Sequence, residues 1–109
     1  MPKAISDSST ALSPRAGALL TEITETPDFD TALWKVLLDY MELKIGHLKQ
    51  QIEAFEAKWG MGFESFSDRR ESGGLNSAAY TYEVERDFWE WEKAETLLRH
   101  YEALQTRWM

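Results

Sequence analysis

The chain contains no cysteine. That excludes a disulfide framework, a thiolate zinc site and a cysteine nucleophile. Histidine is nearly absent too, with His47 and His100 the only two. Neither sits in a Glu-x-x-His pair, because position 44 is Lys and position 97 is Leu, so the di-iron bundle pattern fails. A His-Glu-x-x-His helix, a phosphate loop ending in Lys-Ser or Lys-Thr, and a Gly-x-Ser-x-Gly elbow are all missing. No apolar run approaches the roughly 20 residues that cross a bilayer. The first residues, Met1-Pro2-Lys3-Ala4, lead into Ser and Thr instead of an apolar signal core, so a cytoplasmic location is expected. Basic residues are in the minority, 12 against 19 acids, for a net charge of −7 over 109 residues. This balance argues against nucleic-acid binding, where each phosphate contact calls for Lys or Arg. The composition therefore predicts no enzyme, no cofactor and no metal.

What the chain does have is aromatic mass, five Trp among it, and heptad periodicity. Residues 1–26 stand apart: Ser6, Ser8, Ser9, Thr10, Ser13, Pro14 and Gly17 show no sustained period, so a mobile arm is expected. Leu19, Leu20 and Ile23 form a short apolar cluster within it, either a frayed prelude to the first helix or a segment that orders on a partner. The helical domain is then 27–109. Thr26-Pro27-Asp28 suits a helix start, with a capping Thr, Pro at the first position and Asp near the positive end of the dipole. From there Trp34, Leu38, Met41, Ile45, Leu48, Ile52, Phe55 and Trp59 alternate steps of four and three without a break, a heptad seam over a long helix at 27–59. Lys35 with Asp39 and Lys49 with Glu53 are placed to pair across one turn. Gly46 within this helix suggests the close approach of another backbone. Gly60 ends the helix, and Phe63 with Phe66 predicts a short helix at 63–71. After Gly73-Gly74, a second long helix is expected at 78–108, with Val84, Phe88, Trp91, Ala94, Leu98, Tyr101, Leu104 and Trp108 spaced close to 3.5 residues apart on average. Matched lengths of roughly 45 Å imply an all-α, antiparallel two-helix hairpin with a short connecting helix.

Two seams alone make a thin core. Further apolar residues surround the first half of the first long helix: Val36 and Leu43 lie opposite Trp34 and Leu38, and Leu33, Leu37 and Tyr40 fill a flank. Leu97 broadens the stripe of Tyr101, Leu104 and Trp108 at the end of the second. These residues predict a homodimer that closes as a four-helix bundle. The alternative cover is the N-terminal arm.

Tyr82 and Trp89, seven apart, lie about 140–160° from Val84. Residues 83–95 around them hold six acids and two bases. An aromatic pair in an acidic surface suits a basic protein partner, with Tyr82, Glu83, Glu85, Asp87 and Trp89 in contact and Leu19, Leu20 and Ile23 as a second anchor. The competing reading packs Phe63 and Phe66 over Tyr82 and Trp89 and leaves the acids solvated. A row of Glu85, Glu92 and Glu95 admits one enzymatic alternative, a magnesium-dependent nucleotide hydrolase. A purely structural oligomerisation module is the other.

Two blocks carry a resemblance. Lys58-Trp59-Gly60-Met61-Gly62-Phe63-Glu64-Ser65-Phe66 resembles a Tyr-Gly-Met-Ser-Phe-Glu-x-Phe turn, with Trp59 in place of Tyr and Gly62 in place of a capping Ser. Tyr82-Glu83-Val84-Glu85-Arg86-Asp87-Phe88-Trp89-Glu90-Trp91-Glu92 resembles an acidic-aromatic entry to a second helix. Over roughly 30–105 the chain is similar to a family of small bacterial and archaeal helical proteins, many encoded beside a small toxin and regarded as antitoxins. The resemblance implies a non-catalytic protein that binds and neutralises a cognate toxin, and it implies no catalytic residues.

Overall fold

The computed structural model describes residues 13–75 and 81–108. All regular structure among them is helical: α1 at Pro14–Thr24, α2 at Phe29–Trp59, α3 at Phe63–Ser72 and α4 at Thr81–Trp108. Among the described residues no helix is long and apolar enough to cross a membrane. The chain divides into two compact units, residues 1–40 and 41–109, and α2 contributes to both.

In the first unit, the stretch expected to be a mobile arm includes helix α1. Ser13 accepts a hydrogen bond from the Ala16 amide at 3.1 Å, and Pro14 follows at the first helical position. That is the same Ser/Thr-Pro signal the sequence offers again at Thr26-Pro27. Residues 1–12 of the expected arm lie outside the described residues. Glu25, in the left-handed conformation at φ 56°, ends α1, and the Thr26 amide bonds back to the Thr21 carbonyl. Thr26 thus completes α1 and does not cap α2. Asp28 takes that role, accepting from the Thr31 amide at 2.9 Å, and α2 begins at Phe29, two residues later than expected. Leu20, Thr24 and Ala32 are buried, and the Lys35 ammonium donates to the Thr24 carbonyl at 3.1 Å. Among the described residues no ion pair joins Lys35 to Asp39 or Lys49 to Glu53.

The second unit holds the main core. Leu48 and Ile52 of α2, Phe66 of α3, and Val84, Phe88, Trp91 and Ala94 of α4 form one buried cluster, with Phe55, Trp59, Met61, Phe63, Leu97, Leu98 and Tyr101 packed on its edge. Its centre is aromatic. Trp91 is fully buried and stacks on Phe55 at 5.4 Å between ring centroids, with Phe66 at 5.0 Å and Phe63 at 5.5 Å. Trp59 meets Phe66 at 4.9 Å, and Phe63 stacks on Phe88 at 5.5 Å. Gly60 takes φ 70°, which ends α2 and turns the chain into α3. At Gly46 a β-carbon would meet nothing within 4 Å, so among the described residues no other backbone of this chain comes close to it.

Candidate interaction surface

Helix α4 separates its residues by angle. Val84, Phe88, Trp91 and Ala94 face the core, while Tyr82 and Trp89 are 77% and 59% exposed. The reading in which α3 covers Tyr82 and Trp89 is therefore corrected. Phe63 and Phe66 turn to Phe88 and Trp91 instead, because those side chains occupy the same inward face as Val84. On the outer face Arg86 and Lys93, both exposed, alternate with the aromatics at 82, 86, 89 and 93, steps of four, three and four.

The three acids expected to meet a partner are engaged within the chain. Asp87 is only 2% exposed. It accepts from the Lys58 ammonium at 2.6 Å, the Trp59 indole at 3.0 Å and the Arg86 guanidinium at 3.1 and 3.2 Å. Burial pushes its carboxyl up, but these donors and the Lys58 charge outweigh it and hold the group below the ordinary aspartate value. Asp87 is thus a structural node, and its place as a partner contact is corrected. The signal was available, since Val84, Asp87, Trp91 and Ala94 step by three, four and three along one stripe.

Glu83 pairs with Lys58 at 2.7 Å, and Glu85 takes a two-pronged grip from Arg70 of α3 at 2.7 and 2.8 Å. The hydrogen bond from Arg70 lowers the Glu85 carboxyl, and Glu85 in turn raises the Arg70 guanidinium. The same guanidinium lies 3.9 Å from the Phe88 ring centroid, so Arg70 couples α3 to α4 by charge and by its flat face. Lys58, bonded first to Asp87 and then to Glu83, is raised above its usual range. Lys58 and Arg70 are the site residues that reading the chain alone missed, since both are remote from 83–95 in sequence.

The magnesium alternative finds no support in this arrangement. Glu85 is committed to Arg70, and among the described residues no group of three or more histidines or carboxylates is placed to hold a metal. His47 and His100 are both exposed, the latter edge-on to Tyr101. Within α1, Leu19 and Ile23 are exposed while Leu20 is buried, so only the first two are accessible for the second anchor. Of the residues expected at a dimer interface, Leu37, Tyr40, Leu43 and Trp108 are exposed. Leu33, Val36, Leu97, Tyr101 and Leu104 are half-buried. No protein-family model, curated protein or solved structure matches this chain.

Proposed function

We propose that this is a non-catalytic, cytoplasmic interaction protein, antitoxin-like in action, that binds a protein partner through the outer face of α4. The observation that carries the reading is the exposure of Tyr82 and Trp89 on a helix whose inner face is packed into an aromatic core. Two large rings on a rigid support can enter partner pockets with little loss of conformational freedom. The partner chemistry shifts from the one expected. With Glu83, Glu85 and Asp87 matched by Lys58, Arg70 and Arg86, the surface offers aromatic anchors among charges of both signs, and a partner of mixed charge fits it better than a strongly basic one.

The same reading runs α2 antiparallel to α4 as a helical hairpin. The pairings Trp59 with Asp87 and Phe55 with Trp91 support it, since residue numbers fall along one helix as they rise along the other. It also makes the protein a homodimer of four-helix-bundle type, for which the exposed Leu37, Tyr40, Leu43 and Trp108 argue.

The test is binding of the purified protein to the product of the adjacent reading frame. Micromolar or tighter binding that is lost in Tyr82→Ala and Trp89→Ala, with helical content kept, supports the assignment. No binding, or binding indifferent to both substitutions, removes it.

A further inference from the structure

Helix α2 carries a second seam. Phe29, Leu33, Val36, Tyr40 and Leu43 follow one another by four, three, four and three residues. At 100° per residue this line lies about 150° around the helix from the seam of Trp34, Leu38, Met41 and Ile45. Regular spacing over two turns and more is the requirement for knobs-into-holes packing against another helix. Yet Phe29, Tyr40 and Leu43 are 41%, 52% and 61% exposed, and Leu37 beside them is 44% exposed. The seam is spaced for a helix, and among the described residues none lies over it.

We infer that a second copy of this chain covers it, with the two α2 seams packed parallel about a twofold axis. Three observations select this occupant. A heptad line is complementary to itself, because each position meets its own counterpart when parallel helices pair in register. At about 200 Å² per large side chain, the four exposed residues offer on the order of 400 Å² per protomer. A standard interface needs about 450 Å² of apolar area per partner, and the half-buried Leu33 and Val36 add to the supply.

The third observation is charge. Asp39 and Lys44 flank the seam on opposite sides, five residues apart, which is the spacing that brings one into reach of the other's counterpart across a parallel pair. Neither is tied up in an ion pair among the described residues. Parallel pairing forms two Asp39–Lys44 contacts across the axis. Antiparallel pairing would set Asp39 against Asp39.

This inference deepens the proposed dimer and rests on that part of the reading, but not on the partner surface of α4. Sedimentation of the full chain at micromolar concentration is expected to give a dimer. Tyr40→Glu and Leu43→Glu each weaken it by about a hundredfold while leaving the circular dichroism unchanged, since both side chains are already largely in water. The cysteine-free sequence makes a single Tyr40→Cys reporter clean. In a parallel pair two copies of position 40 come within disulfide reach, and mild oxidation yields a covalent dimer. Asp39→Lys and Lys44→Asp each weaken association by about tenfold, and the double exchange restores it.

A wild-type monomer overturns both the seam and the proposed dimer. A dimer indifferent to Tyr40→Glu and Leu43→Glu overturns the seam and leaves dimerisation standing. A dimer that those substitutions break, without the Tyr40→Cys cross-link or the charge-exchange recovery, overturns the parallel register. Binding of a partner through Tyr82 and Trp89 is read independently in every case.

Discussion

The indole nitrogen of Trp59 donates to Asp87 at 3.0 Å across 28 positions of sequence, and the neighbouring Lys58 ammonium reaches the same carboxylate oxygen at 2.6 Å. Two consecutive residues at the end of α2 thereby grip one buried acid of α4. A paired buried carboxylate fixes register as well as contributing energy, because any slip of the helices strands a charge away from water.

Asp87→Asn keeps the size of the side chain but places an uncharged amide among three donors. The substitution is expected to lower stability by about 2 kcal/mol at neutral pH, the range for hydrogen bonds to a charged group. Its pH dependence has a fixed sign. The folded protein holds Asp87 below its ordinary value, so the stabilisation is complete above the unfolded aspartate value near 4 and is lost as pH falls through the lower folded value. Urea unfolding of both proteins should show a gap that is widest at neutral pH and closes in acid. A gap that stays constant down to pH 2 would refute this.

Trp91 is fully buried, and its indole N–H has no partner among the described residues. Trp91→Ala should cost about 3–5 kcal/mol, as for other large aromatic truncations. Trp91→Phe should cost much less than its lost volume indicates, about 1–2 kcal/mol, because it also removes a buried donor left without an acceptor. Chemical denaturation of the two variants measures the difference. A Trp91→Phe cost well above about 2 kcal/mol would mean that the indole nitrogen is satisfied by an acceptor.

Much of this core was legible beforehand. Ile45, Leu48, Ile52, Val84, Phe88, Trp91 and Ala94 all lie on the predicted seams and all are buried. The same seams continue to Trp34 and Trp108, which stay exposed. Periodicity reports which face of a helix is apolar and is silent on whether anything covers it. Asp87 shows the complementary failure. Its residue type argued for solvent, while its angle, between Trp91 and Ala94, argued for the interior. Its compensating donors, Lys58 and Trp59, lie 29 and 28 positions away in sequence and so gave no local cue. The start of α1 was missed for a different reason, since Ser13-Pro14 is a start signal within a stretch whose composition suggested an arm.

Arg70 makes two kinds of contact that lysine cannot reproduce together, a forked grip on Glu85 and a flat face 3.9 Å over Phe88. Arg70→Lys is expected to cost about 1 kcal/mol through the lost ring contact. The effect should be local. Amide exchange should speed up in Phe63–Ser72 while Leu48 and Ile52 of α2 keep their protection. Uniform acceleration across the second unit would show instead that Arg70 supports the whole core.

Two glycines offer the opposite sign. Gly46 lies inside α2, where a β-carbon would meet nothing within 4 Å, so Gly46→Ala removes backbone freedom from the unfolded chain without a clash. The expected gain is about 1 kcal/mol, or a melting temperature higher by roughly 4–8 °C for a domain of this size. Gly62 precedes α3 in extended geometry, φ −79° and ψ 172°, and supplies no side-chain cap. Ser is at ease in that conformation and can accept a hydrogen bond from an early amide of α3, so Gly62→Ser should add a few tenths of a kcal/mol. Gly46→Ala also probes the second seam, since Gly46 sits beside its line one residue before His47. If Gly46→Ala stabilised the dilute monomer but weakened self-association in sedimentation, the partner helix would lie closer at this point than the Asp39–Lys44 register allows.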